Sequence, residues 1–140
     1  QFYRHIVKPR QKRLVRYIRS RTEARIWYHT CGACTEYITD LIDNGIDILN
    51  PVQIGAADMY PAALKARFGN DLVFWGGAID AQHILPTASP DAVRAEVRRN
   101  LEIWKPGGGY VFNNVHNIQP GVPPENIVAM YDAAYDYGFY

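Results

Sequence analysis

Cysteine is scarce in this chain: two residues in 140, at positions 31 and 34. Two thiols so close together build no disulfide framework, which predicts a reducing, cytoplasmic setting. Long apolar runs are missing as well, and none approaches the ~20 residues that a membrane span requires. There is no excess of one charge, since 15 Lys and Arg face 14 Asp and Glu for a formal net of +1. That balance disfavours a disordered chain or a general nucleic-acid binder. The first residues are polar and basic without an apolar h-region, so they do not read as a secretory leader. An initiator Met is also lacking, and a chain that opens on Gln1 reads as cropped from something longer.

What is present is enough for one domain over residues 1–140, with 48% hydrophobic residues to build a core. Charge is uneven along it: nine of the 15 Lys and Arg lie in the first 25 residues, among them Arg10, Lys12, Arg13, Arg16 and Arg19. A phosphate- or nucleic-acid-binding helix is one reading. The simpler one is an amphipathic helix over residues 9–20, with Leu14, Val15 and Ile18 as its apolar stripe and the basic residues in solvent.

From there the pattern alternates. Strands are expected at Arg25–His29, Asp47–Asn50, Leu72–Trp75 and Tyr110–Asn114. Helices follow over Thr35–Asn44, Tyr60–Phe68, a segment from the Ser89 cap to about Trp104, and a last one opening at Pro123-Pro124-Glu125. Gly45 and Gly69 read as helix stops. Short connections between like-ordered strands mean right-handed βαβ units in a parallel sheet. Four such units are half of a (β/α)8 TIM barrel, which takes about 250 residues. The expected fold is therefore α/β: the C-terminal half of a barrel, preceded by a basic helix. A small open α/β sandwich is the alternative.

Active sites of such folds lie at the carboxyl ends of the strands. There the sequence places His29, Cys31 and Cys34 after the first strand, and Asn50 and Gln53 after the second. The third delivers Gly76, Gly77, Asp80, Gln82 and His83, and the fourth Asn113, Asn114, His116 and Asn117. His29 and Cys31, two apart at a strand end, project to one face, and an imidazole beside a thiolate suits a thiophilic metal such as zinc. His116 could complete a three-ligand set with an open fourth position. Cys31-Gly-Ala-Cys34 could instead be a thiol-redox pair, or both cysteines could be inert packing. Gly107-Gly108-Gly109 precedes a strand, so it reads as a helix stop and not as a dinucleotide fingerprint.

Three stretches resemble the uroporphyrinogen decarboxylase superfamily. They are Phe74-Trp75-Gly76-Gly77 with Asp80-Ala81-Gln82 and Leu85-Pro86; Gly108 to Ile118 followed by Pro123-Pro124-Glu125-Asn126; and Asn50-Pro51-Val52-Gln53. The resemblance implies a (β/α)8 barrel, of which this chain holds the later strands, and an N-terminal half that would complete it. It also implies one of two chemistries. In the cofactor-free decarboxylases of haem biosynthesis the substrate is a tetrapyrrole, and a His near the end of the last strand matches His116. In corrinoid-linked methyltransferases a zinc-held thiolate exchanges a methyl group with methylcobalamin on a partner protein, and their His-x-Cys matches His29-Thr30-Cys31. Their third ligand is usually a Cys where His116 stands here, which makes the implied set two His and one Cys. Asp80 or Gln82 would then orient ligand or substrate. Cys34 and Ala78 match neither pattern. Zinc-thiolate methyl transfer is the leading expectation, uroporphyrinogen decarboxylation the alternative, and a non-catalytic fragment that fails to fold as a monomer a third.

Overall fold

A computed structural model of the chain describes residues 1–139. A π-helical turn at Tyr3–Val7 leads directly into α1 (Lys8–Arg19). Then β1 (Trp27–His29), α2 (Thr35–Asn44), β2 (Ile48–Asn50), α3 (Pro61–Phe68), β3 (Val73–Trp75), α4 (Pro90–Trp104), β4 (Tyr110–Val111) and α5 (Pro124–Tyr137) alternate along the chain. The strands form one parallel sheet in the order β1-β2-β3-β4, as expected for a partial barrel.

Register divides the sheet into two faces. Tyr28 lies beside Leu49, Leu49 beside Phe74, and Phe74 beside Tyr110. That face packs under the helices, with Leu49 and Phe74 fully buried. Trp104 of α4 tilts against Phe74 at 4.8 Å and stacks on Tyr110 at 5.6 Å. Its indole N–H donates to the Gly77 carbonyl (3.1 Å), so the same side chain fills the core and satisfies a loop carbonyl. Side chains one residue out of phase, Trp27, His29, Asn50 and Trp75, therefore stand on the opposite, inner face. A second apolar cluster, including Ile79, Leu85, Val97 and Met130, joins α4 and α5 beyond β3 and β4.

The strands are shorter than expected, most of all β1 and β4, and one helix face is less covered. Arg25 and Ile26 lie outside β1 because the Ile26 amide is taken by the Asp47 carboxylate (2.6 Å) and its carbonyl by the amides of Asp47 and Ile48. β4 ends at Val111 because its neighbour bends at Gly76 and Gly77, although Ala78 still donates to the Asn113 carbonyl (3.0 Å). The stripe expected on α1 is narrower: Val15 is buried, Ile18 is partly covered, and Leu14 is 59% exposed. Gly45 ends α2 with a left-handed φ of 91°, as read. No helix among the described residues is long and apolar enough to cross a membrane.

The basic N-terminus is tied down by carboxylates. Asp40 on α2 accepts from Lys8 Nζ (2.6 Å) and Arg4 Nε (2.8 Å), and Asp47 accepts from Arg19 (2.7 Å). The Lys8 hydrogen bond first, and Arg4 second, hold the Asp40 carboxyl below its ordinary value of 3.8. A depressed folded-state value means that this contribution is complete above the ordinary value and lost as pH falls through the depressed one. Asp40→Asn is therefore expected to lower the melting temperature at neutral pH. The gap from wild type should close in acid, which thermal denaturation across pH 2–7 would check. A gap of unchanged size in acid would rule this anchor out.

Candidate active site

The carboxyl ends of the strands bring together residues from every βα connection. His29, the last residue of β1, lies beside Asn50, the last of β2. Asn50 Nδ2 donates to the Trp75 carbonyl (3.0 Å), which turns its Oδ1 toward His29 Nδ1 at 2.7 Å. Oδ1 only accepts, so His29 carries a proton on Nδ1, and in the neutral ring Nε2 is the bare nitrogen. That nitrogen faces Cys31 Sγ at 3.3 Å. The His116 ring stands edge-on to His29, with centroids 5.6 Å apart. The candidate ligand atoms of His29, Cys31 and His116 all lie within 4.8 Å of one another, and all three residues are exposed.

These donors fit zinc. Two imidazoles and one thiolate are its preferred ligand types, and three protein ligands leave a fourth position for substrate. The Asn50 bond is the kind of outer contact that fixes a ligand's tautomer, and its loss usually costs about 10–100-fold in metal affinity. Zinc offered to this group is accordingly expected to bind Asn50→Ala more weakly than wild type by about that factor, read by competition with a chelator. Unchanged affinity would show that His29 needs no such orientation.

Cys34 does not join this group. It precedes α2, is buried, and points its thiol at Met59 Sδ (3.8 Å), with burial pushing its pKa up to about 11. The geometry therefore gives no support to a reactive Cys31–Cys34 pair, whose thiols need exposure and thiolate character.

Asp80 is committed to its own loop. Its carboxylate accepts from the amides of Gln82 (2.8 Å) and His83 (3.1 Å) and pairs with His83 Nδ1 (2.8 Å). Burial alone would raise its pKa, but the His83 bond and the two amides hold it below the usual carboxylate range. The Asp80 amide donates to buried Glu96 of α4 (3.1 Å). Asp80 thus shapes the loop that presents Gln82, and the His83 ring projects into solvent.

Two clefts open beside His116. One of about 500 Å³ is lined by Trp27, His29, Asn50, Trp75 and His116 among others. The other, about 230 Å³, is bounded by Cys31, Gln53, Gln82, His116 and Gln119. Sequence reading passed over Trp27 and Trp75 as site residues. The signal was available for Trp27, which stands two before His29 on the same strand and so shares its face. Gln119, on the loop after β4, and Glu96, on α4 behind the Asp80 loop, gave no such signal, because only the folded chain brings them there.

Fold and site together define the carboxyl-end face of a partial parallel (β/α) barrel. Comparison with known proteins makes the assignment specific: a family profile described as Uroporphyrinogen decarboxylase (URO-D) matches residues 1–137. The chain belongs to the uroporphyrinogen decarboxylase superfamily. Among similar proteins is that of Methylococcus capsulatus, 40% identical over 105 residues, covering 73% of this chain and 27% of the relative. Those of Cellvibrio japonicus (37% identical, 54% and 20% covered) and Alkalilimnicola ehrlichii (50% identical, 34% and 13% covered) are similar too. All three bear the name uroporphyrinogen decarboxylase. The aligned chain spans at most about a quarter of the length of these relatives. No solved structure gives a significant match.

Proposed function

We propose that this chain forms the later part of the active site of a superfamily enzyme that moves a methyl group between a corrinoid on a partner protein and a small thiol. The observation that carries the reading is the convergence of His29, Cys31 and His116 within 4.8 Å at the carboxyl ends of β1 and β4. Zinc held by these three side chains would supply the ionisation of a substrate thiol at neutral pH. The chain's own residues supply the rest. Asn50 sets the His29 tautomer, Asp80 shapes the loop that carries Gln82, and the Trp27–Trp75 side gives an apolar wall.

A second reading has its own support. The relatives' names favour a carboxy-lyase acting on uroporphyrinogen, in which His116 would contact a substrate carboxylate or relay a proton. By name the comparisons favour this reading, whereas the ligand geometry favours the first.

One experiment separates them. Zinc content of the full-length protein is measured, followed by assays with methylcobalamin plus a simple thiol and with uroporphyrinogen. About one zinc per chain with thiol methylation supports the first reading. A metal-free protein that decarboxylates uroporphyrinogen overturns it in favour of the second.

A further inference from the structure

The two clefts beside His116 are unlike, and a chain of amides crosses the floor of the smaller one. The Gly32 amide, next to Cys31, donates to Gln53 Oε1 (2.7 Å). This orientation leaves Gln53 Nε2 to donate, and it does so to Gln82 Oε1 (3.1 Å). With its oxygen engaged, Gln82 has its Nε2 left as a donor in the same cleft as Cys31 and His116. The order of donors and acceptors is thus set from one end: a backbone amide has only one sense, and each side-chain amide must follow it.

The larger cleft is lined by the Trp27 and Trp75 side chains on the His29 side, the two indoles set edge to face. The smaller, about 230 Å³, or roughly the volume of eight waters, suits a small molecule and offers it hydrogen-bond donors. We propose that the small cleft seats the thiol co-substrate. Gln82 binds hydrogen-bond acceptors at the far end of that thiol, and Gln53 is the positioning residue that couples Gln82 to the Cys31 loop. The other substrate approaches from the side of the two tryptophans. This assignment rests on the thiol-transfer reading above.

The test uses full-length, zinc-loaded protein and two probes of similar size, 3-mercaptopropionate and 2-mercaptoethanol. Binding is measured by calorimetry and metal content by elemental analysis. Gln82→Glu keeps an acceptor for Gln53 Nε2 but removes the donor and adds a like charge. Its affinity for 3-mercaptopropionate is expected to fall about tenfold or more, with 2-mercaptoethanol changed by less than about threefold and zinc unchanged. Gln53→Leu should weaken both probes, because it frees both Gln82 and the Gly32 loop. Equal losses for the two probes in Gln82→Glu, or no loss in either, would overturn the assignment while leaving the metal site standing. Wild-type protein that holds no zinc and binds neither thiol would overturn the parent reading, and this one with it.

Discussion

Replacing Cys31 with Ala is expected to strip the full-length protein of the zinc proposed above and, with it, of the proposed thiol methylation. Complete zinc sites of four protein ligands are worth roughly 10–16 kcal/mol, so one ligand carries on the order of 3 kcal/mol, or about a hundredfold in affinity. Starting from three protein ligands, loss of the only sulfur leaves two imidazoles, His29 at the end of β1 and His116 in the bend beyond β4, and those two strands are not hydrogen-bonded to each other. Cys34→Ala is the control. Its thiol faces Met59 and not the ligand group, so zinc should stay and only packing should suffer. Elemental analysis after dialysis reads both variants. Zinc retained in Cys31→Ala, or lost equally in Cys34→Ala, would rule out the ligand set.

Gly76→Ala is expected to be the most destabilising single-methyl change in the site. Gly76 has φ of +111°, and a Cβ there would lie 2.1 Å from the Pro51 carbonyl oxygen and 3.1 Å from that of Asn114. Both contacts are backbone, so no side chain can swing aside to relieve them. Left-handed strain of about 1–2 kcal/mol adds to a clash that must move β2 or the arm after β4. The sum, about 3 kcal/mol or more, is a large share of the 5–15 kcal/mol typical of a domain. Gly107→Ala provides the contrast: its φ is +77°, but nothing lies within 4 Å of the added methyl. It should cost only the backbone strain, about 1 kcal/mol. Denaturant melts of both variants decide the matter, and equal losses would mean that close approach at Gly76 contributes nothing.

These two glycines also show what a sequence can and cannot disclose. Gly76-Gly77 after an apolar run signals a positive φ or a close approach, but not which chain approaches; the neighbours are Pro51 and Val52 of the adjacent connection. The alternation of strands and helices was legible because helical spacing and caps are local signals. His29 and Cys31 were legible because a strand's period of two is local as well. The tautomer of His29 was not, since it depends on Asn50, and Asn50 in turn on the Trp75 carbonyl two strands away. Leu14 misled for a related reason. Periodicity shows that a face is apolar, but only neighbouring elements decide whether that face is covered, and Leu14 remains in solvent. The burial of Cys34 was likewise invisible until Met59 was placed beside it.

The order of strands in the sheet has a kinetic meaning. Trp27 pairs with Ile48, Ile48 with Val73, and Phe74 with Tyr110, so each strand lies beside its predecessor in the chain. Within the described sheet no strand waits for a partner made much later, and each βα unit closes only a modest loop before it is rewarded with contacts. A ribosome releasing this chain from its N-terminus would therefore extend the sheet one strand at a time, always onto an edge already in place. The candidate site would be assembled in the same sequence: His29 and Cys31 early, the Gln82 loop next, and His116 last.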